Sequence, residues 1–95
     1  MPAGAQKTVF EASAKGGAET MTVYYKDDAI LKQETVEVYT LSQLEVENAL
    51  EKLQNNATRT KEALKDFIGK GFEYNTEHKG DIFTITYSFD YTKID

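Results

Sequence analysis

The sequence predicts an α+β domain in which an antiparallel sheet of about five strands packs against one long amphipathic helix. Segments on both sides of a central stretch alternate between apolar and polar residues, which is typical of strands with one covered face. The central stretch instead has apolar residues three and four positions apart, as in an amphipathic helix. The chain has 95 residues, 40% of them hydrophobic and 28% charged, which fits one globular domain.

The N-terminal residues 1–6 are small and lack periodicity. We interpret them as a flexible tether or as residues added for expression. Residues 7–95 are then expected to form a single α+β domain.

Three strands are predicted before the helix, because these segments are rich in β-branched and aromatic residues. Gly16 and Gly17 separate the first two strands, since glycine readily adopts the positive φ that tight turns need. Asp27 and Asp28 form the second turn. The predicted strands are residues 7–14, 20–26 and 29–40.

The third strand contains an irregularity. Val36 and Val38 share one face, but Leu31 is out of phase with both. This pattern predicts a bulge or an edge position near Gln33.

The helix has a clear predicted start. Ser42 and Glu45 match a capping box, and Leu41 and Val46 stand at the positions of a hydrophobic staple. A helix from Ser42 to about Ile68 would be roughly 40 Å long. Its apolar or small residues recur at Val46, Leu50, Leu53, Ala57, Thr60, Leu64 and Phe67.

The predicted end of the helix lies at Gly69 and Gly71, because glycine is favoured just beyond helix C-termini. If the segment forms two helices instead, Asn55 and Asn56 mark the expected break.

A β-hairpin is predicted to close the chain, giving the sequence order β-β-β-α-β-β. Its strands are residues 72–76 and 82–91, around a tip at 78–81. Apolar and polar residues alternate along the last strand, which predicts one covered face and one solvent-exposed face. The residues expected on its covered face are Phe83, Ile85, Tyr87, Phe89 and Tyr91.

Charge and composition make several functions unfavourable. Eleven basic and sixteen acidic residues give a net charge of −5, which opposes binding to nucleic acids and to anionic membranes. The absence of cysteine removes disulfides, thiolate zinc sites and thiol catalysis. The sequence contains no apolar run long enough for a transmembrane helix or a signal peptide.

The stretch from Phe10 through Gly16-Gly17 to Gln33, with YYKDDAILKQ at its end, resembles the opening of the YehR-like family of small bacterial putative lipoproteins of unknown function. Asp27 stands where that family has glycine. The resemblance implies an envelope-anchored or exported domain, whose membrane contact is a lipid anchor absent from this sequence. Family members carry a signal peptide, a lipid-bearing cysteine and a further helical segment, so we expect either a shortened chain or a reduced relative.

Residues that could support chemistry have simpler interpretations. His78 is the only histidine and is expected to be exposed at a hairpin tip. Asp27 and Asp28 lack the spacing of an EF-hand, so a polar turn is favoured over a Ca²⁺ site.

The remaining candidates lack partners in the sequence. The glutamates near the helix start are explained by capping and solvation, and the serines have no nucleophile motif around them. We therefore predict no catalytic, cofactor-binding or metal-binding residues, no cofactor, and no enzymatic activity. The glutamates and serines concerned are Glu45, Glu47, Glu51, Ser13, Ser42 and Ser88.

The aromatic residues suggest a binding function. Most are expected in the core against the helix, but one helix cannot cover a five-stranded sheet. The uncovered sheet surface could bind a protein partner or a small apolar ligand. The alternative hypothesis is a homodimeric structural module joined by sheet edges or by the helix face. The third and least favoured hypothesis is a small enzyme. The aromatic residues concerned are Tyr24, Tyr25, Tyr39, Phe72, Tyr74, Phe83, Tyr87, Phe89 and Tyr91.

Overall fold

A computed structural model describes residues 4–94 and contains a five-stranded antiparallel sheet with one helix packed on it. This confirms the α+β class and the β-β-β-α-β-β order along the chain. Part of the predicted tether, residues 1–3, and the terminal residue 95 lie outside the described residues. The elements are β1 (Gln6–Ala14), β2 (Gly17–Lys26), β3 (Ala29–Thr40), α1 (Ala49–Ala63), β4 (Phe72–Lys79) and β5 (Ile82–Asp90).

The order of strands across the sheet is β1-β2-β3-β5-β4, which differs from their order along the chain. The first three strands form a meander. After β3 the chain crosses the sheet through α1, passes over the place that β5 occupies, and enters β4 at the far edge. The last strand, β5, then pairs with β3 on one side and β4 on the other.

The predicted turns are present, with small shifts in position. Gly16 has φ +82° and Gly17 already belongs to β2, whereas the Asp27 backbone has φ +55°. In the pairing of β2 with β3, Tyr24 lies opposite Lys32 and Tyr25 opposite Ile30, so Leu31 is the extra residue. The bulge expected near Gln33 is therefore centred at Leu31.

The prediction of a long helix was wrong, because α1 has only 15 residues and a length of roughly 22 Å. The capping box does not form. Ser42 donates from its backbone N–H to Asp81 Oδ1 (2.9 Å) and from its hydroxyl to the same carboxylate. Glu45 pairs with Lys15 instead of turning back to the chain. Val46 is 52% exposed, so the predicted staple is also absent.

The end of the helix was also predicted too late. The break expected at Asn55-Asn56 lies within continuous α1, and the helix ends at Ala63. Short 3-10 turns at 41–43 and 65–67 flank it. Gly69 (φ +81°) and Gly71 (φ +102°) form the turn into β4 rather than the helix stop. Among residues 4–94, no helix combines the length and apolarity that crossing a bilayer requires.

The core lies under α1, over β3, β5 and β4. Leu50, Leu53 and Leu64 of α1 and its flank pack against the buried cluster from above. By contrast, all nine residues of β1 are exposed, so the helix covers only one half of its sheet face. The buried apolar residues are Ala57, Phe72, Tyr74, Phe83 and Ile85.

The closing hairpin is longer on its first strand than predicted. β4 continues to Lys79, and the turn consists of Gly80 and Asp81 alone. His78 therefore lies within β4, opposite Phe83, and not in the turn. The predicted alternation of β5 is confirmed up to Phe89, whereas Tyr91 lies beyond the strand and is 43% exposed.

Candidate functional site

A cavity of about 320 Å³ lies between α1 and the helix-covered part of the sheet. This volume is at the lower end of the range typical of small-molecule sites. One part of its lining is apolar and comprises Leu53, Leu64, Phe72, Ile85 and Phe89. The other part is polar and comprises Glu37, Asn56, Thr60, Tyr39, Tyr74 and Tyr87.

Strand register brings the polar lining together from three strands. Glu37 and Tyr39 are two residues apart on β3 and therefore point to the same face. Glu37 lies opposite Ile85, and Tyr74 of β4 lies opposite Tyr87 of β5. The rings of Tyr74 and Tyr87 stack, with centroids 5.9 Å apart and an interplanar angle of 16°.

The helix contributes the roof of the cavity. Leu53, Asn56, Thr60 and Leu64 follow a spacing of three and four residues, which places them on one side of the helix. The Thr60 hydroxyl donates a hydrogen bond of 3.0 Å to the Asn56 carbonyl within the helix. Its oxygen lone pairs thus remain available to the cavity.

The Glu37 carboxylate is the charged group of this cavity. The Tyr39 hydroxyl donates a hydrogen bond of 2.5 Å to Glu37 Oε1. Directly across the strand pair, Glu37 faces Glu19 of β2. Like charges directly opposite one another are destabilising. Within residues 4–94, no basic side chain forms an ion pair with either glutamate.

This arrangement raises the pKa values of three tyrosines. Burial, the hydrogen bond to Glu37 and the charges of Glu37 and Glu19 raise the pKa of Tyr39 far above its ordinary value. Burial and the Glu37 charge raise the pKa of Tyr74, although Thr60 offsets part of the effect. Burial also raises the pKa of Tyr87, against an opposing interaction with Thr35. All three hydroxyls are neutral at physiological pH, as tyrosines with an ordinary pKa also are.

Thr35 lies next to this cluster on β3, opposite Tyr87, and is completely buried. Its Oγ1 completes no hydrogen bond of normal geometry within the described residues. Thr35 lowers the pKa of the neighbouring Tyr87 hydroxyl, against the larger effect of burial. A buried, unsatisfied hydroxyl costs folding free energy.

The residues considered from sequence for chemistry are not brought together. His78 is exposed, and its Nε2 lies 2.8 Å from the Gly80 carbonyl oxygen. Asp27 and Asp28 are exposed in their turn, and Ser42 is engaged with Asp81. Within residues 4–94 there is no group of three His, Cys, Asp or Glu side chains with metal-site geometry.

Sequence reasoning missed the polar lining of the cavity. It identified the tyrosines as aromatic sheet residues, but it did not identify Glu37, Asn56 or Thr60 as residues of a candidate site. One signal was available: Glu37 alternates in phase with Thr35 and Tyr39, which places its charge on the same sheet face as aromatic residues.

The fold and the cavity define a small α+β domain with a ligand-sized space between its helix and its sheet. The chain belongs to a family described as protein of unknown function (DUF1307), whose family model matches residues 6–95. No curated protein and no solved structure matches the chain.

Proposed function

We propose that this protein is a non-enzymatic binding domain that holds a small, largely apolar ligand in the cavity between α1 and the sheet. The observation that carries this proposal is the cavity itself, which has an apolar wall and a few convergent polar groups. Sites for small molecules commonly have this composition. The proposal refines the expectation of ligand binding beside the helix, because the cavity lies beneath α1.

Filling the cavity tests this function. Leu53→Phe adds a ring at the cavity lining and should weaken or exclude ligand binding, whereas Val9→Phe introduces the same ring at an exposed β1 position. Native mass spectrometry of the protein purified from bacterial cells should show a reproducible additional mass on the wild type and on Val9→Phe. Leu53→Phe should lack it. Equal additional mass on all three proteins would place the bound molecule elsewhere and contradict the proposal.

We also propose that the domain acts in the bacterial cell envelope, tethered there as a lipoprotein. The support is the resemblance of the segment from Phe10 to Gln33 to the YehR-like family. Fractionation of cells that produce the protein from its complete natural gene should recover it with the membranes and release it on lipase treatment. Recovery in the cytosolic fraction would contradict the envelope proposal and leave the cavity proposal unaffected.

A second candidate function is a homodimeric module, favoured by the charge pattern of β1. All nine residues of this edge strand are exposed, and such edges readily pair with another strand. Antiparallel pairing of two copies about Val9 places Lys7 of each copy opposite Glu11 of the other, and Val9 opposite Val9. The edge strand is thus complementary to itself, as a two-fold symmetric interface requires.

Charge exchange tests this dimer in a specific register. In the dimer, Lys7→Glu creates two pairs of facing acidic residues. Glu11→Lys creates two pairs of facing basic residues. Sedimentation should show that each single variant shifts the equilibrium toward monomer and that the double variant restores the wild-type dimer. A wild-type protein that remains monomeric at high concentration, or a double variant without restoration, would rule out this register.

A further inference from the structure

We propose that the cavity is selective for organic cations, so that its ligand carries an ammonium group next to a compact apolar body. This inference rests on the proposed ligand-binding function of the cavity and adds the chemical class of the ligand. Three independent features of the site support it: its uncompensated negative charge, its tyrosine rings and the polarity of its remaining hydrogen-bonding groups.

The first feature is charge. Glu37 lines the cavity and Glu19 lies directly across from it on β2. Lys15, which follows β1, is paired with Glu45. Lys52 of α1 lies beside Tyr39 and Asn56 but forms no ion pair with either glutamate within residues 4–94. A partly buried carboxylate without a basic partner is costly, and an additional like charge opposite it increases that cost. A bound ammonium group would remove both penalties at once.

The second feature is the arrangement of aromatic rings. Tyr39, Tyr74 and Tyr87 line the cavity, and Tyr74 and Tyr87 stack on each other. Phe72 and Phe89 continue the aromatic wall, with ring centroids 4.8 Å apart. Tyrosine and phenylalanine faces attract cations through the quadrupole of the ring, and this attraction strengthens when the cation is desolvated.

The third feature is that every polar side chain of the lining offers an oxygen that can accept a hydrogen bond. The Tyr39 hydroxyl already donates its hydrogen bond to Glu37, and the Thr60 hydroxyl donates to the Asn56 carbonyl. A carboxylate accepts several hydrogen bonds, so Glu37 retains capacity beyond Tyr39. An ammonium group supplies donors without needing an acceptor in return. An anion could accept hydrogen bonds from Asn56, Tyr74 and Tyr87, but the Glu37 carboxylate would repel it.

The electrostatic potential of the site agrees with this selectivity. Burial is the largest cause of the raised pKa of Tyr39 and Tyr87, and the charges of Glu37 and Glu19 raise it further. Burial disfavours a charge of either sign, whereas the two carboxylates disfavour only a negative charge. The part of the pKa shift that comes from the carboxylates therefore reflects a potential that attracts a positive charge at these two points of the cavity.

Three probes with one carbon skeleton test the inference: cyclohexylammonium, cyclohexanol and cyclohexanecarboxylate, which differ in charge. Amide chemical shifts of the protein, followed by NMR during titration at low ionic strength, report affinity and location together. The ammonium compound should bind at least about tenfold more tightly than the alcohol, which corresponds to roughly 1.4 kcal/mol. The carboxylate should bind most weakly. Added salt should weaken the binding of the ammonium compound alone.

A matched pair of variants assigns the selectivity to Glu37. Glu37→Gln keeps an acceptor for Tyr39 but removes the charge, so the preference for ammonium over alcohol should disappear while alcohol affinity is kept. Glu73→Gln makes the same change on the opposite sheet face and should alter nothing. If Glu37→Gln does not fold, the exposed Glu19→Gln provides the test, with a smaller loss of ammonium affinity.

The outcomes separate this inference from the function on which it rests. Equal affinity for the ammonium compound and the alcohol, with shifts at cavity residues, would overturn the cation selectivity and leave the ligand-binding function standing. Preferential binding of the carboxylate would also overturn it. The absence of binding by all three probes would contradict both proposals.

Discussion

The two halves of the sheet differ in what covers them, although both are built from antiparallel strands of similar length. Under α1, the strands β3, β5 and β4 supply buried aromatic residues, including Phe72 at 1% exposure. In the bare hairpin of β1 and β2, Phe10 occupies the same sheet face but is 51% exposed. Apolar residues therefore stabilise this fold in one half and are available for contacts in the other.

This difference determines how each half of the sheet is stabilised. A 15-residue helix can cover three strands, and the two strands beyond its reach depend mainly on backbone pairing. The boundary between the halves runs along β3, where Glu37 and Thr35 combine burial with polarity. The candidate site lies at this boundary, where aromatic residues and the Glu37 carboxylate line the same cavity.

The largest expected effect comes from truncating one aromatic residue in each half. Phe72→Ala should lower the free energy of unfolding by about 3–5 kcal/mol, because it leaves a cavity in the core. Phe10→Ala should change it by less than about 0.5 kcal/mol in the monomer, as is usual for exposed positions. Chemical denaturation at low protein concentration measures both. Similar losses for the two variants would remove the distinction between the halves.

An intermediate effect is expected at the contact that holds the start of the helix segment against the closing hairpin. Asp81→Ala removes the acceptor for the Ser42 backbone and hydroxyl, and we expect a loss of about 1 kcal/mol because the contact is exposed. Asp28→Ala, in another exposed turn, is the control. A double-mutant cycle with Ser42→Ala should show coupling; additive effects would indicate that the two residues do not interact.

An effect of similar size but opposite sign is expected from Thr35→Val. This change removes a buried hydroxyl that lacks a hydrogen bond and should stabilise the ligand-free protein by about 1 kcal/mol. Thr20→Val, at an exposed position of β2 on the other sheet face, should leave stability almost unchanged. Thermal unfolding of both variants is the measurement. Destabilisation by Thr35→Val would show that the hydroxyl is satisfied in solution.

The smallest effect is expected from the tyrosines of the covered half, because it appears only at alkaline pH. The pKa values of Tyr39, Tyr74 and Tyr87 are raised in the folded protein above the ordinary value of 10.0. The folded state thus holds these protons more tightly than the unfolded state. Their contribution to stability is complete below pH 10 and is lost as the pH rises above it.

Denaturation at a series of alkaline pH values measures this loss. Tyr39→Phe should make the decline above pH 10 shallower, since it removes the hydroxyl with the largest shift. A decline that is identical in the variant would mean that Tyr39 does not contribute to it.

Much of the fold was predictable because strands and turns leave local signals. The bounds of β3 were predicted as observed, and the phase of Leu31 indicated the bulge. The helix was overestimated because its capping signal is also local, whereas its actual partners are distant. Asp81 and Lys15, which engage Ser42 and Glu45, are 39 and 30 residues away in the sequence.

The candidate site was less predictable for a related reason. Glu37 becomes part of a cavity only because β5 lies between β3 and β4, which places Tyr87 and Tyr74 beside it. The sequence does not specify this strand order. Without it, Asn56 and Thr60 are ordinary polar residues of a helix.

The position of β5 between β3 and β4 also governs how the protein can assemble during its synthesis. The meander of β1, β2 and β3 needs only neighbouring contacts and can pair as soon as it leaves the ribosome. β4 has no sheet partner until β5 has been made, since β5 alone connects it to β3. The aromatic residues of β4 and the apolar side of α1 therefore remain exposed to solvent until the last strand is translated. A pause in translation before β5 would prolong the exposure of the nascent chain to chaperones and to aggregation.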